Sequence, residues 1–347
     1  MPKKKLLSVI IGLLISVVLV FIIFRNVNFG ELVGALKGAN YFWLLPNMCL
    51  VILAMFQRAE RWKYMLKPIG APKYKKLLSA TCIGFMANNV LPLRLGEFVR
   101  AYALARNNEK VTKSASLATI FVERMVFDLL ALLTILAVIL WFIPTKFDEK
   151  FKLGAALSLG VAIFGLIFAV GLVMRPEGAG KLLTRYLFFL PDKIKEVVHN
   201  TVIKFSKGLM FLKSWHCTFW VSVHTILLWL AMGISNVFVF YAFGLDKPPY
   251  NLPLSASYVL LVVVSISILI PSSPGFIGVY HAGVVLTLGY YGIGTSSSEA
   301  VSCALVLHAA QFIPITLMGF YFLYKEGLSL GQLRKEALEK SGNDQSG

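Results

Sequence analysis

Long apolar runs separated by short basic connections set the pattern of this chain. Residues 6–24, 41–57, 114–143, 153–174, 215–243 and 301–324 are each apolar over a length on the order of the ~20 residues a helix needs to cross a bilayer. Each reads as a membrane-spanning helix. Two other apolar runs do not fit that reading. The first, 77–91, is short and ends in Asn88-Asn89-Val90-Leu91-Pro92-Leu93-Arg94-Leu95-Gly96-Glu97-Phe98-Val99-Arg100. The second, 253–291, is broken in the middle by Ile270-Pro271-Ser272-Ser273-Pro274-Gly275. Both breaks contain P-x-x-x-G, read as Pro92 to Gly96 and Pro271 to Gly275. Pro92 suits the first turn of a new helix, where its missing N–H costs nothing. Counted from there, Arg94, Glu97 and Arg100 recur every three residues and would share a helical face.

Charge then orients the runs, because cytoplasmic loops carry the excess of Lys and Arg. Residues 58–76 hold seven basic residues and one acid, and 94–113 hold five and two. Both are expected inside, so 77–91 must enter and leave by one face as a re-entrant hairpin. Non-helical backbone at that depth is tolerated only when buried in protein or lining a water-filled cavity. The first half then runs inward span, broken hairpin, outward span over about 41–143. The second half, about 215–324, repeats these elements in the opposite orientation. Paired interrupted helices in inverted repeats point to a transporter with its site where the breaks meet.

Composition confirms the environment. The chain has 57% hydrophobic and 15% charged residues, where soluble domains have ~45–50% and ~25%. It is expected to be an all-α polytopic membrane protein with about six full spans and two broken hairpins. Residues 1–324 form a single membrane domain, with surface helices over about 175–213, and 325–347 form a cytoplasmic polar tail. Both termini are expected inside, in a plasma membrane of bacterial or archaeal type. The net charge of +17 sits in short loops and suits anionic lipid headgroups rather than nucleic acid. The four cysteines show no C-x-x-C spacing and read as small buried hydrophobes.

Charges inside an apolar run need partners or water, since each costs ~2.5–3.5 kcal/mol near a bilayer centre on insertion scales. Glu123, Arg124 and Asp128 fall near the start of the 114–143 run, and Arg124 and Asp128 face one another at i,i+4. They read either as a buried pair locking the bundle or as part of a lipid- or proton-handling site. Arginine suits a lipid phosphate because its planar fork offers two parallel charge-assisted hydrogen bonds. Asn89, Arg94, Glu97, Arg100, Glu123, Arg124 and Asp128 are therefore the candidate headgroup residues.

Several of these residues fall in an order that resembles the flippase-type membrane domain of lysyl-phosphatidylglycerol synthases and its stand-alone relatives. The matching pieces are Arg58-x-x-Arg61-Trp62, Asn89-x-x-Pro92-x-Arg94-x-Gly96-Glu97-x-x-Arg100, Glu123-Arg124 with Asp128, and Pro271-x-x-Pro274-Gly275-x-x-Gly278. They cover about residues 41–324. The family commonly has P-G-G-x-G-x-x-E at the last motif. Here Phe276 stands at the second glycine and His281 at the acid, and Asp128 lies one residue beyond the family's usual place. The resemblance implies lipid translocation, with membrane lipids of phospholipid or polyprenyl-phosphate type as partners and homo-oligomers left open. The sequence has no counterpart of the aminoacyl-transferring domain, so lysyl-phosphatidylglycerol synthesis is not expected of it.

No catalytic motif emerges: H-E-x-x-H and P-loop patterns are absent, and no cofactor or metal is implied. Pro92, Gly96, Pro271, Pro274, Gly275 and Gly278 read as hinges. His281, just after the second break, is the titratable candidate for a pH-sensitive step. His308 and Gln311, at i,i+3 on the last span, either line a cavity or bond between helices. A membrane-embedded lipid-modifying transferase and a small-solute transporter are the alternatives to a lipid translocase. Vesicle assays separate them, since a translocase changes a lipid's leaflet and a transferase its mass.

Overall fold

The computed structural model describes residues 3–106, 110–142 and 209–333, with scattered positions between 153 and 196. Among these residues the protein is helical, with no strand. The helices are α1 (Lys3–Phe24), α2 (Phe29–Gly38), α3 (Leu44–Leu66), α4 (Tyr74–Val90), α5 (Gly96–Arg106), α6 (Lys113–Val122), α7 (Leu129–Phe142), α8 (Trp215–Ala242), α9 (Leu254–Ser267), α10 (Val279–Tyr290) and α11 (Ser298–Lys325). A π-helical turn, Glu123–Asp128, joins α6 to α7. Five stretches among the described residues are long and apolar enough to cross a membrane: Leu7–Phe24, Tyr41–Leu66, Lys113–Trp141, Trp215–Ala242 and Ser298–Lys325. The all-α polytopic architecture follows from them. The span expected at 153–174 is described only at scattered positions, which are helical, and most of the surface helices expected over 175–213 and the tail beyond 333 lie outside the described residues.

The apolar runs become helices because hydrocarbon leaves a backbone no other way to satisfy its N–H and C=O groups. Leu14, Val17 and Phe21 of α1 are more than half exposed, as suits a helix facing lipid. By contrast α4, α5, α9 and α10 have 17, 11, 14 and 12 residues. At ~1.5 Å per residue none reaches the ~30 Å of a hydrocarbon core.

Two expectations about local structure are corrected. The span expected to end at residue 57 is longer, since α3 continues through Arg58 and Arg61 to Leu66. Both arginines meet carboxylates from elsewhere in the chain, which lets the helix carry them. Between the first two apolar runs lies α2, whose N-terminus is capped by the Asn28 side chain accepting from the Gly30 and Glu31 N–H groups. Finally, Pro92 begins a single 3₁₀ turn rather than α5. Leu93 and Arg94 have φ of 66° and 52°, and regular helix resumes only at Gly96. Arg94 therefore does not share a helical face with Glu97 and Arg100.

The chain divides into two compact units. One comprises residues 1–55, 82–96 and 228–347; the other comprises 56–81 and 97–227. The first unit contains both breaks. Its core includes Phe240, Leu260, Val284, Leu288, Val301 and Leu307. Within it the first break is held by Asn88, whose Oδ1 accepts the Gly96 N–H at 2.7 Å. A Cβ on Gly96 would run into the Gly84 carbonyl and the Asn88 side chain. Gly96→Ala is expected to cost ~1–3 kcal/mol, as overpacking does, read as a lower unfolding midpoint in detergent. An unchanged midpoint would mean that the turn can relax away from α4.

Candidate functional site

The two breaks adopt the same local structure. Pro92-Leu93-Arg94 and Pro274-Gly275-Phe276 are both 3₁₀ turns opened by proline at the first position. Their second and third residues have φ of 66° and 52° in one, and 72° and 60° in the other. The equivalence is thus Pro92 to Gly96 with Pro274 to Gly278, three residues along from the pairing with Pro271 read from the sequence. The sequence pattern fits both registers, and only the backbone angles choose. Arg94 and Phe276 are then corresponding residues, and they meet: the Arg94 guanidinium carbon lies 5.0 Å from the Phe276 ring centroid, within cation–π range.

A cavity of about 240 Å³ opens where the breaks meet in the first unit, lined by Asn88, Pro92, Arg94, Ser272, Pro274 and Phe276 among others. Helix α1 supplies another wall through Ser8, Val9 and Leu13. It is tied to the second break by Ser16, whose Oγ accepts from the Ser273 N–H at 2.8 Å and donates to the Ile277 carbonyl at 2.8 Å. A Cβ on Gly12 would sit 2.9 Å from the Ser272 carbonyl oxygen, so α1 lies close against that strand of loop. Asn89 binds α4 to α11 by donating to Thr316 Oγ1 at 2.8 Å. Gly275 fits beside Phe312 and the Asn89 carbonyl. Apolar walls with one guanidinium, a side-chain amide and serine hydroxyls make the usual chemistry of a small-molecule site.

Behind the second break, His281 and His308 converge although 27 positions apart. Their ring centroids are 4.8 Å apart and nearly perpendicular, and Tyr280 stacks on His308 at 4.6 Å. The Gly278 N–H donates to His281 Nδ1 at 3.3 Å, and His308 hydrogen-bonds the Gly275 backbone. Gln311 donates to Asn236 Oδ1 at 3.1 Å, a helix-to-helix bond between α11 and α8.

The remaining charged candidates lie in the second unit, in one buried network. Arg61 reaches both acids, Asp128 Oδ1 at 2.7 Å through one terminal nitrogen and Glu123 Oε1 at 2.9 Å through the other. Arg100 joins Glu123 Oε1 at 3.0 Å, with its guanidinium carbon 3.9 Å from the Trp62 ring centroid. Trp62 in turn donates to Thr119 Oγ1 at 2.9 Å, and Arg61 to Thr225 Oγ1 at 3.2 Å. Arg124 pairs with Asp128 at 3.3 Å and approaches Glu97 at 3.9 Å; Arg58 lies 3.9 Å from Asp128. Arg61 and Glu123 are fully buried, whereas the Arg124 and Glu97 side chains keep 26% and 32% of their exposure.

The π turn explains how both acids reach Arg61. In a regular helix residues five apart point about 140° away from each other, at ~100° per residue. The wider i→i+5 turn absorbs one extra residue, bringing Glu123 and Asp128 toward the same partner. The one-residue displacement of Asp128 noted in the sequence falls in this turn. Sequence reasoning left Arg58, Arg61, Trp62, Phe276 and Tyr280 out of the candidate set. For the first three a signal was present, because R-x-x-R-W places both arginines on one face of α3.

Among the described residues no three His, Cys, Asp or Glu side chains converge as metal ligands. The sequence pattern of the lysylphosphatidylglycerol synthase TM region matches residues 9–319. A UPF0104 membrane protein of Methanocaldococcus jannaschii is 25% identical over 334 residues, which are 92% of this chain and 95% of the relative. A UPF0104 membrane protein of Methanothermobacter thermautotrophicus is 24% identical over 331 residues, 90% and 91% of the two chains. No solved structure matches the chain.

Proposed function

The chain belongs to the lysylphosphatidylglycerol synthase TM-region family, a lipid-related membrane family, and from that premise we propose that it translocates a phosphate-bearing lipid between leaflets, holding the headgroup at Arg94. The observation that carries this reading is the cavity where two corresponding helix breaks meet, with a guanidinium in its wall. Its volume of about 240 Å³ is below the ~300–1,000 Å³ of pockets that enclose whole drug-sized ligands. A headgroup fits there and acyl or prenyl chains do not, so the chains stay in the bilayer along the exposed apolar side of α1. Anionic phospholipids, aminoacylated phospholipids and polyprenyl phosphates share the phosphate that an arginine fork recognises.

In this reading Arg100, Glu123 and Asp128 frame the second unit, within which Arg124 and Glu97 are partly exposed. The test is reconstitution in vesicles carrying leaflet-resolved labelled phosphatidylglycerol, its lysyl ester or a polyprenyl phosphate. Exchange between leaflets of at least one, with its mass unchanged, supports the proposal. Unchanged leaflet distribution of all three, or a product of altered mass, overturns it.

The same proposal makes α4 with α5 a re-entrant pair whose ends share the cytoplasmic face, as inverted repeats require. Single cysteines replacing Lys73 and Lys110, both exposed, are expected to react with an impermeant thiol reagent from the cytoplasmic side. One replacing Lys247 is expected to react from outside. Labelling of the first two from opposite faces would make α4 part of an ordinary crossing.

A further inference from the structure

We propose that the cavity selects a small headgroup without a cation, a phosphate bare or carrying an uncharged group such as glycerol, and turns away aminoacylated headgroups, with Phe276 setting the limit. For transport this rests on the function proposed above; the preference itself rests on the size and charge of the cavity.

Size is the first constraint. A cavity of about 240 Å³ has room for roughly eight water molecules at ~30 Å³ each. A phosphate or phosphoglycerol group is of that order. Esterifying the glycerol with lysine nearly doubles the heavy atoms of the headgroup. What does not fit has to lie against apolar surface, since Val9, Leu13, Leu91 and Leu269 make up much of the lining.

Charge points the same way. Among the described residues Arg94 is the one charged side chain of the lining, and its polar remainder is Ser8, Asn88, Ser272 and Ser273. Asn88 Oδ1 already accepts the Gly96 N–H. An ammonium has three donors and no acceptor, and taking it out of water is costly unless it finds an opposite charge. The charge it meets here is a guanidinium of its own sign, and like charges brought together across a binding surface are strongly disfavoured. A phosphate is in the opposite position. Its oxygens accept charge-assisted hydrogen bonds from the guanidinium, and serine hydroxyls line the same space.

Phe276 brings the two constraints to one place. Its ring centroid lies 5.0 Å from the guanidinium carbon of Arg94, so the ring fills space beside the group that holds the phosphate. The backbone there has φ of 60°, a region that glycine enters without cost and a side chain does not. A phenylalanine held in that conformation carries local strain, which persists where the surroundings over-determine it. What the ring supplies is a filled cavity wall. Phe276→Gly therefore removes the ring and keeps a backbone conformation that glycine adopts readily.

The full chain is reconstituted in phosphatidylcholine vesicles with trace chain-labelled phosphatidylglycerol, its lysyl ester or a polyprenyl phosphate, and exchange is counted per folded molecule. The parent is expected to move phosphatidylglycerol faster than the lysyl ester by at least roughly tenfold, one decade of preference. Exchange of either anionic lipid counts, and the faster one tells a phosphodiester from a phosphomonoester source. Phe276→Gly is expected to narrow the ratio by admitting the lysyl ester. Ser272→Asp, which puts a carboxylate into the lining, is expected to narrow it from the charge side.

Lysyl-ester exchange as fast as that of phosphatidylglycerol in the parent overturns the inference and leaves translocation standing. A ratio that Phe276→Gly leaves unchanged removes Phe276 as the limit, and one that neither variant changes overturns the whole inference. Should the variants fail to fold, the ratio in the parent decides alone. A parent that exchanges none of the three lipids loses the translocase reading, and equilibrium binding then decides the preference. Native mass spectrometry in detergent, with the same three lipids in short-chain form, gives that measurement. Retention of an anionic lipid over the lysyl ester supports the inference, and equal retention, or none, overturns it.

Discussion

Arg61→Ala is expected to destabilise the protein by ~3–5 kcal/mol, the cost of stranding a buried charge by removing its partner. Arg61 is fully buried and holds both acids, Glu123 at 2.9 Å and Asp128 at 2.7 Å. Its removal would leave Glu123 with Arg100, and Asp128 with Arg124 and a more distant Arg58. Arg124→Ala should be much milder, under about 1 kcal/mol, the range of a partly exposed pair. Asp128 keeps its shortest bond in that variant. From the sequence alone, Arg124 would have been the critical partner of Asp128, because only the i,i+4 spacing was visible. Denaturation by graded SDS in mixed micelles, following helix content, gives the two losses side by side. Equal, small losses would mean that the network is open to water. Neutralising the acids together with the base, as in Arg61→Leu with Glu123→Gln and Asp128→Asn, should recover part of the loss, since no charge is then left unpaired.

Arg94→Lys is expected to reduce lipid exchange per folded molecule nearly as far as Arg94→Ala does. A charge-assisted hydrogen bond contributes ~1.5–3 kcal/mol, so the loss should be roughly tenfold or more at ~1.4 kcal/mol per decade. An ammonium keeps the charge but cannot present the planar fork or lie over the Phe276 ring as a guanidinium does. Arg100→Lys supplies the contrast. Arg100 is buried between Glu123 and Trp62, so its replacement should lower yield and stability while the folded fraction still exchanges lipid. Exchange rates normalised to monodisperse protein separate these outcomes. Normal exchange in Arg94→Lys would take this side chain out of headgroup binding.

The sequence by itself determined that this chain lives in a membrane, and where most of its helices run. A helix buried in hydrocarbon must be apolar along its whole length, so the requirement is written residue by residue and needs no partner to be read. It also located both breaks, because proline and glycine act on the backbone at their own positions: Pro92, Gly96, Pro274 and Gly278 bound the turns seen in the structure. What the sequence could not supply was the identity of partners. Arg58 and Arg61 looked like the start of a loop because the cost of a charge in a helix depends on what faces it. The facing groups, Glu123 and Asp128, are more than 60 residues away and reach Arg61 only through a π turn. The register between the two breaks was open for a similar reason. P-x-x-x-G occurs from both Pro271 and Pro274, and only the positive φ pairs align Arg94 with Phe276. His281 and His308 are likewise unremarkable apart, and become a pair only when α10 packs on α11. Local backbone chemistry is legible in order along a chain, whereas charge compensation and ring-to-ring contact are properties of pairs that only tertiary packing brings together.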